Sequence, residues 1–428
     1  MSSHVQVAII GAGFAGTVLA LSLKKHNVTS SVYESRLDGN TQGGNIALAP
    51  NALRVLDHVG VYDDVRAAGF VYEELGLNSN TGTNLGEFLN GSEKLYNYPA
   101  IRVRRSDARR SLLRKLKEEA IPVHYGKKMM KITEESKDNV AVVFEDRTQV
   151  TTSIVIGCDG VHSKVREYIY PDVSPHHNGI VGIQGTAFGE DLQDQHWPKA
   201  LPRIVLGPEE VFGIVPANPA GTEIGFISTM KAPIGSPAYE IAMKPDKADF
   251  AALLRRKFCS TIWPVPVQVL ADRVQPQTLL TFPFNIMPDI PKWFSPSGRV
   301  IFIGDAAHAM PPTGGQGAAM AFEDAETLSH VIRYINRAAK MYDALMRKSP
   351  KTMAELLDLW CNHRKERVSR VQNFTSRSGK VMTSPPGYLQ RVVKEWYVWA
   401  GLNWTGRTLG AEWIYQYQCE DMNGLLSL

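Results

Sequence analysis

The chain has 428 residues, 44% of them hydrophobic and 21% charged, which is the balance of a globular protein with a large buried core. A formal net charge of +4 is too small to indicate a nucleic-acid partner or binding to an anionic membrane surface. The four cysteines form no CxxC pair, which argues against structural zinc and a disulfide framework and favours reduced thiols in a cytoplasmic protein.

The N-terminal segment VQVAIIGAGFAGTVLALSL is apolar and about as long as a signal peptide. No positive charge precedes it, however, and it contains glycines at a special spacing. No other run approaches the ~20 uninterrupted apolar residues of a membrane span. We therefore interpret the segment as the first buried strand and helix of a soluble protein, and we expect no membrane span.

This region predicts a β-α-β unit, with a strand over 5–10, a helix over 17–25 and a strand over 30–33. A glycine-rich turn joins the first strand to the helix. A strand, a glycine-rich turn and a helix in this order are typical of a dinucleotide-binding fold.

The glycines of the turn have the GxGxxG spacing, and each has a physical role. Gly11 permits the tight turn, Gly13 lets a pyrophosphate approach the backbone, and Gly16 lets the helix pack against the strand. The helix N-terminus offers free N–H groups to phosphates. Glu34 at the end of the second strand is suited to accept hydrogen bonds from a ribose and disfavours a 2′-phosphate, so we expect tightly held FAD or NAD rather than NADP.

Two further predicted strands end in glycine and aspartate. The strand over 154–156 runs into Gly157-Cys158-Asp159-Gly160, and the strand over 300–303 runs into Gly304-Asp305, with a helix beginning near Gly315. In doubly wound folds, ligands lie at the carboxyl edge of a parallel sheet. We therefore expect the three strand ends to line one crevice.

Five motifs together resemble the single-component FAD-dependent aromatic hydroxylases, which include p-hydroxybenzoate, salicylate and kynurenine hydroxylases and fungal biosynthetic monooxygenases. The motifs are GAGFAG with its glutamate, NIALAPNALRVLDHVG, RRSDARRSLL, GCDGVHSKVR and GDAAHAMPPTGGQGAAMAFEDA. The resemblance covers roughly residues 5 to 375.

The resemblance implies an α/β fold with a GxGxxG Rossmann-like FAD-binding domain, a second antiparallel-sheet substrate domain and a C-terminal helical region. We expect the FAD-binding domain over 1–174 and 291–345, the β-rich substrate domain over 175–290 and the helical region over 346–428. The substrate pocket then lies between the second sheet and the flavin.

The resemblance also assigns site residues. Arg105 matches the arginine of the family's HRADL pattern, with Arg104 as its rival if the alignment slips by one residue. The predicted cofactor-binding residues are Gly11, Gly13, Gly16, Glu34, Gly44, Ala47, Arg105, Asp159, Asp305, Gly315, Gly317 and Ala318. The candidate catalytic residues are Gln184, Pro312 and Gly314.

The chemistry that the resemblance implies needs tightly bound FAD, transient NADPH or NADH, and O2. Reduced FAD would form a C4a-hydroperoxide that hydroxylates an aromatic or polycyclic small molecule, in secondary metabolism. Alternatives are epoxidation, Baeyer–Villiger insertion, a reductase or oxidase, and a flavin halogenase, although the halogenase motif WxWxIP is missing from the sequence. We expect a monomer or homodimer.

Several smaller signals concern the substrate, the role of a histidine, metal binding and the wall of the pocket. Gln184-Gly185 stands where some relatives have Arg-Gly, which favours a neutral or phenolic substrate over a carboxylated one. We interpret His308 as a packing and hydrogen-bonding residue. The pair at 176–177 has no carboxylates at ligand spacing, so no metal site is predicted. Candidates for the pocket wall are Gln184, Phe212, Ile214, Pro216 and Phe282.

The tail is rich in aromatic residues. Trp396, Trp399 and Trp404 have near-helical spacing, which predicts a helix that docks on the body of the protein. We expect core packing for these tryptophans, with a dimer contact or an interfacial anchor as alternatives.

Overall fold

The computed structural model describes residues 5–37, 43–187, 202–207, 210–345, 352–382, 388–404 and 406–427. Its strands in chain order are β1 (Gln6–Ile10), β2 (Thr29–Tyr33), β3 (Asn45–Leu48), β4 (Phe70–Tyr72), β5 (Glu74–Ser79), β6 (Asn84–Leu89), β7 (Ala100–Arg104), β8 (Val123–His124), β9 (Met129–Glu135), β10 (Val140–Phe144), β11 (Gln149–Thr152), β12 (Ile154–Gly157), β13 (His176–Ala187), β14 (Arg203–Leu206), β15 (Val211–Pro216), β16 (Ile224–Lys231), β17 (Leu280–Ile286) and β18 (Val300–Phe302). Its helices are α1 (Phe14–Lys25), α2 (Pro50–His58), α3 (Tyr62–Ala68), α4 (Glu93–Tyr96), α5 (Arg105–Glu118), α6 (Lys164–Ile169), α7 (Pro237–Met243), α8 (Ala248–Phe258), α9 (Val265–Asp272), α10 (Asp305–His308), α11 (Gly317–Leu345), α12 (Met353–Met382), α13 (Tyr388–Trp404), α14 (Glu412–Tyr415) and α15 (Met422–Ser427).

The first sheet is the parallel sheet that the sequence predicts. Its order is β18-β12-β1-β2-β8, and every neighbouring pair is parallel. Ile10 at the end of β1 is in register with Gly157, which is in register with Phe302 at the end of β18. The three predicted strand ends therefore lie side by side, and the prediction of a shared crevice edge is confirmed.

The helix after the glycine turn is longer than predicted. It begins at Phe14 rather than Thr17, with Gly13 as its N-cap residue. The sequence interpretation treated Gly16 as part of the turn, whereas this glycine already has helical geometry and packs against the backbone of the turn. Helix α1 then packs against the long helix α11 and against α5.

The second sheet has the order β17-β13-β16-β15-β14-β5-β6 and is antiparallel except for the parallel pair β14–β5. Two of its strands, β5 and β6, come from outside the 175–290 segment. The segment itself also contains the helices α7, α8 and α9. Buried side chains of β15 and β16 pack with α8 and α9 in a separate hydrophobic cluster. The α/β fold class with a Rossmann-like sheet, a largely antiparallel second sheet and C-terminal helices is confirmed.

The aromatic tail docks differently from the prediction. Helix α13 contacts β6, and it does so through Val398 and Leu402, which are one helical turn apart. Trp396 is 64% exposed and Trp404 is 77% exposed, so the expectation of core packing for these tryptophans is wrong. They lie away from the face that carries the two aliphatic residues. Among the described residues, no helix combines the length and apolar character that crossing a membrane requires.

Candidate functional site

The GxGxxG turn has two glycines that packing requires and one that faces open space. Gly11 has a φ of 105°, and a Cβ there would lie 2.4 Å from the carbonyl oxygen of Cys158. A Cβ on Gly16 would lie 2.0 Å from the carbonyl oxygen of Gly11. A Cβ on Gly13 would meet nothing within 4 Å. The turn therefore holds its shape through Gly11 and Gly16 and leaves room for a ligand at Gly13.

Glu34 directly follows β2 beside this turn and is 8% exposed. Its Oε2 accepts a hydrogen bond from the Ala12 N–H at 2.8 Å, and its Oε1 accepts one from the Arg36 N–H at 2.9 Å. The carboxylate thus fixes the backbone of the turn.

Arg109 on α5 joins this group, and the sequence interpretation missed it. Its Nε donates to the Ala12 carbonyl oxygen at 2.9 Å, and its Nη2 lies 3.9 Å from Glu34 Oε2. Because Arg109 follows Arg105 by four residues, both are on one face of α5. That spacing was the signal available in the sequence.

Arg104 and Arg105 point to different parts of the molecule. The Arg105 guanidinium carbon lies 5.2 Å from the ring centroid of Phe14 in α1, and the Arg105 N–H donates to the Gly44 carbonyl oxygen at 2.9 Å. Arg104 instead pairs with Glu223 at 3.0 Å, near the second sheet. Arg105 is therefore the arginine beside the glycine turn, as the resemblance implies.

Asp159 follows β12 and caps the start of α6. Its Oδ2 accepts hydrogen bonds from the N–H groups of Lys164 at 2.8 Å and Val165 at 3.3 Å. Burial raises the pKa of Asp159, and the hydrogen bonds to the carboxylate only partly offset this. Its Oδ1 is buried and has no hydrogen-bond partner among the described residues. Such an oxygen is suited to accept a hydrogen bond from a ligand.

A second carboxylate, that of Asp324, accepts a hydrogen bond from the backbone of the turn after β18. Gly304 has a φ of 64°, and its N–H donates to Asp324 Oδ2 at 3.0 Å. His308 Nε2 lies 2.5 Å from the same oxygen, and the His308 ring lies 5.1 Å from that of Trp293. The prediction that His308 packs and forms hydrogen bonds is confirmed. Asp305 between them is exposed at the first turn of α10.

Asp324 belongs to a fully buried ion network that the sequence interpretation did not include. Arg364 on α12 donates to Asp324 at 2.8 Å and to Glu323 at 2.8 Å, and Arg367 donates to Glu323 at 2.9 Å. Burial opposes ionisation, but His308 and Arg364 hold the pKa of Asp324 below its usual range. Two adjacent acids inside the apolar run AMAFEDAETL were the sequence signal.

The loop between α10 and α11 presents glycines on two sides. A Cβ on Gly314 would lie 2.0 Å from Thr375 Cγ2, so this glycine lets the loop pack on α12. Gly315, with a φ of 63°, and Gly317 would each direct a Cβ into open space. Helix α11 begins at Gly317, and Ala318 in its first turn is half-buried. Pro312, in the single turn before it, is exposed.

Gln184 connects β13 of the second sheet to β3, a strand of the three-stranded sheet β3-β7-β4, through the backbone of Asn45. Its Oε1 accepts a hydrogen bond from the Asn45 N–H at 2.8 Å, and its Nε2 donates to the Asn45 carbonyl oxygen at 3.0 Å. A Cβ on Gly44, just before β3, would lie 1.9 Å from Gln184 Oε1, so a side chain there would displace the Gln184 amide. Ala47 lies two residues further along β3, in register with Arg102 of β7.

Two cavities lie where β7 faces the second sheet. One of about 120 Å³ is lined by Gly44, Gln184 and Thr278, among others, and one of about 370 Å³ is lined by Asp107, Arg110 and Glu223, among others. Arg102 and Arg104 line both.

Arg102 is the unusual residue at these cavities. It is 7% exposed, its Nε donates to the Pro216 carbonyl oxygen at 3.2 Å, and burial lowers its pKa to about 10. In the part of the chain that the structure describes, no carboxylate pairs with Arg102, whereas Arg104 and Arg110 pair with Glu223 and Asp107. The larger cavity therefore has one positive charge in excess.

The other candidates for the pocket wall lie away from these two cavities and pack against other side chains. Phe212 and Ile214 belong to the hydrophobic cluster that packs against α8, and Phe212 stacks on Phe226 with centroids 5.0 Å apart. Phe282 stacks on Phe284. His177 Nε2 lies 3.0 Å from the Ala232 carbonyl oxygen.

The family model for the FAD binding domain matches residues 4–341. The chain belongs to this family, and it is an FAD-dependent monooxygenase. The 3-amino-4-hydroxybenzoate 2-monooxygenase of Streptomyces cremeus is 29% identical over 342 residues, which cover 76% of this chain and 77% of that protein. The 6-hydroxynicotinate 3-monooxygenase of Bordetella bronchiseptica is 25% identical over 385 residues, which cover 88% of this chain and 91% of that protein.

Solved structures have the same fold as this monooxygenase. The structure of Klebsiella pneumoniae HpxO complexed with FAD and uric acid matches with a TM-score of 0.76 at 21% identity, over 99% of this chain and 98% of that one. The structure of CtdE in complex with FAD and its substrate matches with a TM-score of 0.76 at 18% identity, over 99% of each chain.

The residues of this monooxygenase fit FAD. Gly13, Gly160, Gly315 and Gly317 are the positions around the strand ends where a Cβ would project into open space. No described side chain caps the N-terminus of α1, so its first N–H groups are available to phosphates. With the free Oδ1 of Asp159, they form a lining suited to a long nucleotide cofactor.

Proposed function

We propose that this monooxygenase uses NADPH or NADH and O2 to hydroxylate an aromatic or polycyclic small molecule in secondary metabolism, as a cytoplasmic monomer or homodimer. One oxygen atom of O2 enters a C–H bond of the substrate, and the other leaves as water. The two electrons come from NAD(P)H, which becomes NAD(P)+. The observation that carries the proposal is the meeting of three strand ends with glycines that leave space for a cofactor.

FAD supplies the activation of oxygen when it is bound, because no amino-acid side chain provides this chemistry. The protein residues hold and orient. The N-terminus of α1 would bind the pyrophosphate, Arg105 would add positive charge there, and Asp159 Oδ1 would accept a hydrogen bond. Asp305 at the exposed start of α10 would accept hydrogen bonds from the ribityl chain. Gly315, Gly317 and Ala318 would let the backbone of the α11 N-terminus approach the flavin ring.

The candidate catalytic residues would act by positioning. Gln184 holds β3 against the second sheet and so fixes Gly44 and Ala47, and both the oxygen and the nitrogen of its side-chain amide bond the backbone of Asn45. Pro312 and Gly314 would shape the loop on the substrate side, with Gly314 fitted against Thr375.

Arg102 favours an acidic substrate, in contrast to the neutral or phenolic substrate that Gln184 favours in the sequence. Gln184 adds no charge, but Arg102 is a buried arginine at both cavities without a carboxylate partner among the described residues. Names of relatives such as 3-amino-4-hydroxybenzoate and 6-hydroxynicotinate monooxygenase are consistent with an acidic aromatic substrate. We propose that an acidic group of the substrate pairs with Arg102.

The test uses the FAD-loaded protein without oxygen. NADPH or NADH should bleach the visible flavin band, and air should restore it. Hydroxybenzoates, each paired with phenol as the matched compound without a carboxylate, should accelerate bleaching more than phenol does. The Arg102→Gln variant should lose this preference while it still responds to phenol. Failure of both nucleotides to bleach the flavin with every compound would contradict the proposed function. Faster bleaching with phenol alone would contradict only the role of Arg102.

A further inference from the structure

Polar side chains at the ends of α1 and α2 form a cluster with side chains of α11. His26 follows α1, His58 ends α2, and Glu326 and His330 are one turn apart on α11. One nitrogen or oxygen atom from each of His26, Glu326 and His330 lies within 4.8 Å of the others. Glu326 is nine residues beyond Gly317, roughly 14 Å along the helix at about 1.5 Å per residue, so the cluster is separate from the cofactor site.

Several buried polar atoms of this cluster have no hydrogen bond within the part of the chain that the structure describes. These are His26 Nε2, His58 Nδ1, Glu326 Oε1 and both ring nitrogens of His330. His58 Nδ1 comes within 2.5 Å of Glu326 Oε1 and His330 Nε2 within 3.5 Å, but neither contact has the geometry of a hydrogen bond. Buried polar groups in native proteins nearly always have a partner, so this concentration indicates a missing common one.

We propose that His26, Glu326 and His330 bind one divalent transition-metal ion of the Zn2+ type and so tie the end of α1 to α11. Two imidazoles and one carboxylate are a ligand set for Zn2+, whereas Ca2+ and Mg2+ prefer oxygen ligands alone. The Ser22 hydroxyl donates to Glu326 Oε2, which orients the carboxylate from the second oxygen. His58 competes with the metal for Oε1 and is not one of the three ligands.

The test titrates the tag-free, FAD-loaded protein with Zn2+ in a calorimeter after chelator treatment and desalting. The expected result is one Zn2+ per chain and a rise in melting temperature that Mg2+ does not produce. His26→Ala and His330→Ala should abolish this binding. His58→Ala should keep it, and so should His176→Ala, a matched control at an exposed histidine of β13.

Two further measurements guard against variants that fail to fold. Glu326→Gln keeps the shape of the side chain and the partner of Ser22, and it should weaken Zn2+ binding at least about tenfold. X-ray absorption on the wild-type protein should find two imidazole nitrogens at the zinc. The proposal is overturned if the wild-type protein binds no Zn2+, or if the His26 and His330 variants bind it as the His176 variant does. Loss of binding in His58→Ala would overturn the set of three ligands.

Discussion

Arg364 Nε donates a hydrogen bond to Asp324 Oδ1 at 2.8 Å, and neither side chain is exposed to solvent. The other oxygen of Asp324 accepts the N–H of Gly304 in the turn that presents Asp305. An ion pair between two long helices therefore supports the backbone of the cofactor crevice. Its removal should affect both folding and the crevice.

Replacement of Arg364 by methionine should lower the free energy of unfolding by about 3–5 kcal/mol, because Asp324 and Glu323 would be left buried without their shared partner. Urea denaturation measures the change. Arg256→Met, at an exposed position of α8, is the matched control and should stay within about 0.5 kcal/mol of the wild type. Equal effects of the two changes would contradict the structural role of the ion pair.

The same network predicts how stability depends on pH. Despite the opposing effect of burial, Arg364 holds the pKa values of Glu323 and Asp324 below their ordinary values of 4.5 and 3.8. Carboxyl groups with lowered pKa values contribute stability that is complete above those ordinary values and is lost as the pH falls below them. Between pH 5 and pH 3, the urea midpoint should therefore fall less in Asp324→Asn than in the wild type. If the urea midpoints of both proteins depend on pH in the same way, the ionised Asp324 does not contribute to this loss of stability.

Replacement by alanine should affect stability at one end of the Gly13–Gly16 segment and FAD binding at the other. Gly16→Ala should destabilise the protein, because its Cβ would lie 2.0 Å from the Gly11 carbonyl oxygen. Gly13→Ala should leave the melting temperature of the FAD-free protein nearly unchanged, since its Cβ would meet no atom of the described residues within 4 Å, but it should weaken FAD binding. Flavin fluorescence titration and thermal melting separate the two effects. Tight FAD binding by a folded Gly13→Ala protein would mean that the pyrophosphate lies elsewhere.

Neighbouring arginines provide a matched pair for the cofactor site. Arg105→Ala should weaken FAD binding about tenfold, because this guanidinium lies beside Phe14 at the start of α1. Arg104→Ala should have little effect on FAD, since Arg104 pairs with Glu223 near the second sheet. Equilibrium dialysis with FAD measures both. The opposite ranking would indicate that Arg104 is the cofactor residue.

Gln184→Ala should reduce the coupling of NAD(P)H consumption to product formation while FAD binding stays close to that of the wild type. The variant loses two hydrogen bonds to Asn45, worth about 1 kcal/mol each, and so loosens β3 at Gly44 and Ala47. The ratio of product to oxidised nicotinamide nucleotide measures coupling. Gln277→Ala, at an exposed glutamine, is the control. Unchanged coupling in Gln184→Ala would remove the positioning role.

Local signals predicted the parts of the fold and site that depend on short stretches of chain. The GxGxxG turn, the three strand ends and the role of His308 depend on neighbours within one β-α unit or one loop. Arg364 and Asp324 are 40 positions apart in the sequence, and the addition of β5 to the second sheet depends on a partner more than 100 residues away. Spacing alone does not predict such contacts, because they are selected by packing across the whole domain.

The exposed face of α13 was mispredicted for a related reason. Tryptophan is usually buried, so the three tryptophans of the tail indicated a core face. The helix docks instead through Val398 and Leu402, which fit against Leu77 and Leu85 of the second sheet. Hydrophobicity predicted that the helix would dock but not which of its faces would do so.

Isotopically labelled dioxygen tests the central claim most directly. The FAD-loaded protein is reduced with NADPH or NADH, mixed with the best substrate from the aromatic panel and exposed to the labelled gas, and the product is analysed by mass spectrometry. A monooxygenase should give a product with one labelled oxygen atom and release the second label in water. A product without label, or flavin reoxidation that yields only hydrogen peroxide with every substrate, would contradict monooxygenation.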